Sequence, residues 1–165
     1  MNQSRRIIVI GNAGAGKTTV AELISGKLDI PFYSLDKVVW LPNWKVTPLI
    51  ERKQLIYNLI NKDMWVIDGV SFDVLNAADI IVFLDIPRYI CYTRLFFRNL
   101  RYLFKSRPEL PKNCPEIKII GVLIRIVWQF NSQVRPSILE YKDRLDKKFY
   151  HIRSSDEIQN LYEGL

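Results

Sequence analysis

Cysteine is scarce in this sequence: Cys91 and Cys114 are the two present among 165 residues. Two are too few for a disulfide framework, and both are expected as reduced thiols. Long apolar runs are also missing. A membrane span needs about 18 or more uncharged apolar residues. The nearest stretch, 117–130, is shorter and carries Lys118 and Arg125. It reads as a core-packing helix. The apolar run near the start is Ile7 to Ile10 alone, so no signal peptide is expected. Low-complexity tracts and internal repeats are absent, as are helix-turn-helix, zinc-finger and RNA-binding signatures. What is left is a cytoplasmic protein of one domain. Its 48% hydrophobic and 25% charged content is ordinary for a packed core.

The charge is uneven. Residues 1–87 carry nine basic and nine acidic side chains; residues 88–153 carry fifteen and five, a balance of +10. The last stretch, 154–165, is acidic, giving +7 for the whole chain. A basic excess in one half fits a multi-phosphate substrate or a nucleic-acid surface.

Residues 7–19, IIVIGNAGAGKTT, organise the rest. Ile7 to Ile10 predict a short buried strand. Gly11-Asn12-Ala13-Gly14-Ala15-Gly16-Lys17-Thr18 fits G-x-x-x-x-G-K-S/T at every fixed position, and a helix follows from Thr19. Glycines let backbone N–H groups turn inward around a polyphosphate, and the helix points its positive end at the same anion. Lys17 supplies a mobile charge for the β- and γ-phosphates, and the Thr18 hydroxyl can ligate Mg²⁺. The residues Gly11 to Thr19 are thus candidate ATP contacts.

Alternating elements follow. Strands are predicted at 32–35, 64–67, 80–84 and 148–152. Helices are predicted at 16–28, 47–62, 88–104, 117–131 and 133–146, with Thr47 capping the second. Ser154 caps a last helix, with Glu157 at the capping-box position. A loop spans Trp40, Pro42, Trp44 and Pro48, and its tryptophans could cover a ligand or pack on the core. Residues 70–76 read as a loop with a helical turn, and the proline-rich 105–116 as an exposed loop. The continuous apolar strands predict a five-stranded parallel sheet with helices on both faces, and a ligand site at the strands' carboxyl ends.

Asp36, Asp68 and Asp85 each stand directly after a predicted strand, at that edge. Mg²⁺ takes oxygen ligands, and a hydroxyl acceptor needs a carboxylate to orient it or take its proton. Asp68, with Thr18, is the candidate metal-side carboxylate. Asp36 is the candidate for the acceptor, and Asp85 is the weakest of the three. Helical spacing puts Arg94, Arg98 and Arg101 on nearly one face, where they could meet a transferring phosphoryl group or simply water. Arg88 lies on the same helix; Arg107, Arg125, Arg135 and Arg144 are weaker candidates, because nothing local fixes their direction. Tyr33 and His151 are expected in the core or at its rim.

The loop GNAGAGKT, the strand end WVIDG and the segment FLDIPRYICYTRLFFR resemble the nucleoside-monophosphate kinases, adenylate kinase above all. In that group an Asp-Gly after the third strand serves the Mg²⁺ shell, matching Asp68-Gly69. A Pro followed by Arg at seven and eleven residues matches Pro87, Arg94 and Arg98. The resemblance implies that Arg94 lies by the ATP base and phosphates, and that Arg98 contacts the transferring phosphates. Over most of its length the chain also resembles the topology modulation proteins (FlaR-related) of the adenylate-kinase-like ATPases. That likeness rests on Leu35 to Trp40, Trp65 to Gly69, Leu84 to Arg88, Arg107-Pro108, Cys114 to Glu116 and Arg135-Pro136. Adenylate kinases follow the Asp-Gly with an aromatic, a proline and an arginine, where this chain has Val70-Ser71-Phe72. Its lid-like insertion, about 99–116, lacks the family's glycine signature. The Asp36 pattern is nearer to small-metabolite kinases such as shikimate kinase, in which such an aspartate meets the substrate hydroxyl. The resemblance implies a three-layer P-loop fold and an Mg²⁺- and ATP-dependent phosphotransferase, with Lys17, Arg94, Arg98 and Asp36 catalytic and an unidentified small acceptor. The alternatives are a nucleic-acid-associated ATP-binding protein, which the family name and the basic stretch suggest, and a nucleotide sensor of low turnover.

Overall fold

The computed structural model describes residues 5–102, 104, 106, 110–144 and 146–164. Arg107-Pro108, and with them part of the lid-like insertion, lie outside the described residues. The apolar run at the start forms β1 (Arg6–Gly11), and α1 (Lys17–Leu28) leaves the glycine loop directly. β2 (Phe32–Ser34) and the short α2 (Leu35–Val39) follow. A small antiparallel hairpin, β3 (Trp40–Leu41) and β4 (Lys45–Val46), then leads to α3 (Leu49–Ile60). Next come β5 (Trp65–Asp68), α4 (Phe72–Ala77), β6 (Ile80–Leu84) and α5 (Arg88–Tyr102). The chain ends through α6 (Ile120–Gln133), α7 (Arg135–Leu139), β7 (Lys148–Ile152) and α8 (Ser155–Gly164).

Five strands form the main sheet in the order β2-β5-β1-β6-β7, each pair parallel. The expected architecture is therefore present. Side-chain alternation along β1 divides the core in two. Ile7 and Val9 pack with Val20 and Ile24 of α1, Cys91 and Leu95 of α5 and Leu161 of α8. Ile8 and Ile10 pack on the other face with Val38 of α2, Ile56 of α3, Leu75 of α4 and Ile138 of α7. Helix α6 serves both layers: Leu123 and Val127 join the first, Phe130 the second. It therefore crosses the edge of the sheet. Among the described residues, no helix is long and apolar enough to cross a membrane.

Several expectations need correction. Asp36 does not end a strand but lies in the first turn of α2. The segment after it is a hairpin rather than an open loop. Thr47 does not cap α3: its N–H donates to Val39 O, which holds it in the extended chain closing the hairpin, and Pro48 takes the cap position. The helix expected over 133–146 stops at Leu139, where Tyr141 and Lys142 turn back onto Ile138 and Leu139 through i→i+3 bonds.

Asp85 is consumed in packing rather than presented to a ligand. Its carboxylate accepts from Arg135 Nε at 2.9 Å and Nη2 at 2.8 Å, and pairs with His151 Nε2 at 2.8 Å. Burial pushes its carboxyl up, but Arg135 and His151 overcome this and hold it below the usual range. Asp79, paired with Arg6 at 2.7 Å, is lowered in the same way against its burial. Both depressed carboxylates contribute stability that is present above their unfolded value of about 3.9 and is lost as pH falls through their lower folded values. Asp85→Asn is expected to cost about 1–3 kcal/mol at pH 7 by urea unfolding, because it weakens the bonds that satisfy Arg135 and His151. It should also flatten the fall in stability between about pH 4 and pH 2. An unchanged acid slope would assign that sensitivity elsewhere.

Candidate active site

The carboxyl edge of the sheet encloses a cavity of about 470 Å³. The glycine loop forms its floor, with Gly14 and Gly16 both at positive φ. A Cβ on Gly14 would come within 2.6 Å of Cys91 O, so this turn packs against α5 with no room for a side chain. Asn12 is 2% exposed and bonded at both ends of its amide. Its Nδ2 donates to Val127 O at 3.0 Å, and its Oδ1 accepts from Ala13 N–H at 2.8 Å. This residue ties the loop to α6 rather than offering a side chain to a ligand.

Lys17 opens α1 and donates to Asn12 O at 2.9 Å. Burial pushes its ammonium pKa down, Asp36 and Asp68 act against this, and Arg98 adds to the lowering. Sheet order explains the proximity of the two carboxylates. β5 lies beside β1 and ends on Asp68, while β2 lies beyond β5 and hands over to Asp36. Neighbouring strands stand about 4.8 Å apart, so Asp36 starts about 10 Å across the sheet from the loop. Asp68 is 4% exposed, and its Oδ2 accepts from the Thr18 hydroxyl at 2.5 Å. Burial pushes its carboxyl up, which the hydroxyls of Thr18 and of Ser34, its register partner, counter.

The pair Thr18 and Asp68 could hold a metal. The buried Asp68 Oδ1 has no hydrogen-bond partner, and the Thr18 oxygen sits beside the same carboxylate. Among the described residues, no three His, Cys, Asp or Glu gather to hold an ion by themselves. That donor set suits Mg²⁺, which binds through one or two protein oxygens and completes its shell with water and phosphate.

The arginines come from the opposite side, because α5 follows β6. Arg94 Nη1 donates to Ala15 O at 2.9 Å, at the mouth of the loop. Arg98 Nη2 lies 3.5 Å from Oε2 of the fully buried Glu116. Both line the cavity; Arg101 does not, and its guanidinium lies over the Tyr102 ring. The expected row of three is therefore two cavity residues and one surface residue. Arg88 stacks on Trp128, Arg135 is held by Asp85, and Arg144 lies near Asp146.

The hairpin is tied down as well. Trp44 Nε1 donates to Pro115 O at 2.9 Å, and the Trp40 and Trp44 rings meet edge to face at 5.2 Å. Asn43 and Trp44 both adopt positive φ, which β-carbons disfavour. Both tryptophans line the cavity, as do Val122, Ile126 and Phe130 of α6. Sequence reasoning assigned α6 to the core alone. Its signal was apolar residues on nearly every face, more than one buried stripe requires.

No family model and no curated protein sequence matches the chain. Solved structures do. A shikimate kinase from Bacteroides thetaiotaomicron is 17% identical, with a TM-score of 0.56 over 97% of this chain and 95% of that one. A shikimate kinase from Acinetobacter baumannii, in complex with shikimate, is 15% identical, with a TM-score of 0.58 over 98% and 91%. A sugar kinase from Janibacter sp. is 13% identical, with a TM-score of 0.52 over 98% and 91%. The fold is that of the P-loop kinases. At such identities the likeness is one of architecture.

Within this fold, Gly69 follows Asp68 and packs against Leu35, the residue before Asp36. It holds φ +128°, and a Cβ there would meet Leu35 Cβ at 2.8 Å. Gly69→Ala is expected to cost about 1–3 kcal/mol in urea unfolding, through backbone strain and the clash with α2. Gly26→Ala, in helix α1 with open space around it, should instead gain about 0.5–1 kcal/mol. Equal effects at the two positions would contradict the packing described.

Proposed function

We propose that the protein is a cytoplasmic, Mg²⁺-dependent phosphotransferase that moves the ATP γ-phosphoryl group to a hydroxyl of a small acceptor. One observation carries this reading. A single cavity gathers the glycine loop, Thr18 with Asp68, two arginines and the separate carboxylate of Asp36. The kinase architecture of the structural neighbours supports it, as does the neighbour that holds shikimate.

Gly11 to Thr19 cradle the phosphates through backbone N–H groups, and Lys17 adds its charge. Thr18 and Asp68 hold the metal, which when bound neutralises phosphate charge. Arg94 and Arg98 face the charge that spreads over the transferring group. Asp36 orients the acceptor hydroxyl and takes its proton. The acceptor oxygen bonds to the γ-phosphorus as the bond to the β,γ-bridging oxygen breaks. ADP leaves with that oxygen, and the proton passes from Asp36 to solvent. The adenylate-kinase and topology modulation resemblances belong to this reading as refinements of family. The inward engagement of Arg94, Arg98 and Arg135 favours it over a nucleic-acid surface, since these cations have partners within the fold.

Lys17→Ala should abolish ATP binding, read by a fluorescent nucleotide. Asp36→Asn should keep that binding and lower kcat about 10²–10⁴-fold, the usual worth of a positioned base. Full turnover in either variant overturns the proposal.

A further inference from the structure

Helix α5 turns Cys91 and Leu95 into the core and presents its opposite side to solvent. That side carries Tyr89, Phe96, Phe97 and Leu100, which are between 58% and 70% exposed. Their positions repeat at helical spacing, so they form one apolar stripe. The stripe continues onto α6. The Tyr92 hydroxyl donates to Ile124 O at 3.3 Å, and the Arg88 guanidinium lies 4.9 Å from the centre of the Trp128 ring. Ile124 and Trp128 are more than half exposed. They stand on the side of α6 away from Val122 and Ile126, which line the cavity. The patch is therefore separate from the candidate active site. Large exposed apolar patches of this kind mark surfaces that meet something else.

The charge around the patch has one sign. Neither α5 nor α6 contains an Asp or a Glu. Arg88 stands at the seam of the two helices. Arg101 is one turn from Phe97, Arg125 is one turn from Trp128, and both are exposed. Arg94 and Arg98 engage the phosphate loop and Glu116, so the outward arginines are the part of the basic stretch that the candidate active site does not use. A second copy docked here would set these arginines against their own kind. A single-stranded nucleic acid would stack on the rings but would offer little to Leu100 and Ile124. The surface of an anionic bilayer suits both features. Its acyl boundary takes aromatic and aliphatic side chains, and its headgroups take arginines. At 15 residues with four arginines, α5 would lie on such a surface rather than cross it. We propose that the joint face of α5 and α6 docks on an anionic lipid membrane, with its exposed aromatic side chains at the boundary between headgroups and acyl chains.

The test uses the full chain and sedimentation with vesicles. One set is phosphatidylcholine alone, and the other is an equal mixture of phosphatidylcholine and phosphatidylglycerol. Binding is expected on the mixed vesicles, at least about tenfold tighter than on the neutral ones, and weaker as salt rises from about 0.05 M to about 0.5 M. The double variant Phe96→Ser, Phe97→Ser changes exposed positions and should weaken binding at least about tenfold. Arg101→Gln should weaken it about fivefold, the usual worth of one arginine near an anionic surface. Ile50→Ser, at an exposed apolar position on α3, should leave it unchanged. Thermal melting of each variant checks that the chain still folds, and the Arg101→Gln arm stands if the double variant does not.

No binding to the mixed vesicles overturns the inference. So does equal binding to neutral vesicles, or binding that both the double serine variant and Arg101→Gln leave intact. A dimer in sedimentation velocity that the serine variant dissociates, without vesicle binding, assigns the face to a second copy and overturns it. Binding of a single-stranded oligonucleotide that the same variant abolishes, without vesicle binding, overturns it in favour of nucleic acid.

Discussion

A half-buried ammonium at the end of a glycine loop is the constraint on which the site depends. Lys17 carries a charge that burial disfavours, and the protein places two carboxylates where they offset that cost. Those carboxylates come from different strands. Asp68 ends the strand beside the loop, and Asp36 follows the next one out. The sheet order β2-β5-β1 is what brings them to one lysine. A sheet with β2 on the other edge would leave Lys17 with Asp68 alone. Burial, and less strongly the nearby Asp36, push the Asp68 carboxyl up, and the hydroxyls of Thr18 and Ser34 counter this. In the proposed reading, a polyphosphate with its metal would relieve both tensions at once, since each buried charge would then meet an opposite one.

The loop could be read in the sequence because its function demands fixed residue types at fixed spacing. Gly14, Gly16, Lys17 and Thr18 each answer one local geometric need. The parallel sheet was legible for a related reason: strands covered on both faces read as unbroken apolar runs. The hairpin at residues 40–46 was not legible, because its strands are two residues each and its turn places Asn43 and Trp44 at positive φ. Pro42-Asn43 signals a turn, but the positive φ of Trp44 has no local signal. What fixes that conformation lies far away in sequence, at Pro115, and long-range anchors leave no local pattern. Thr47 failed as a helix cap for the same reason: a hydrogen bond to Val39 outranks its local preference.

The arginines teach a further point about charge. Their number could be counted, but their direction could not. Arg94, Arg98 and Arg101 share helical spacing, yet the first two turn into the cavity and the third lies over Tyr102. Arg135 and His151 hold Asp85, which the strand-end rule alone would have made a site residue. A charge run thus constrains function only after its internal partners are removed.

The origin of the cavity's lining residues follows from topology in the same way. α5 leaves β6, on one side of β1, and brings arginines. α2 and the hairpin leave β2, on the other side, and bring a carboxylate and two tryptophans. Helix α6 must cross the sheet edge, because it packs into both core layers. That crossing is what allows one helix to brace the phosphate loop through Asn12 and to line the cavity with Val122 and Ile126. A shift of α6 would therefore move the phosphate loop and this part of the cavity lining together. The glycine loop and the cavity lining are mechanically joined by a helix that contributes no charged residue to that lining.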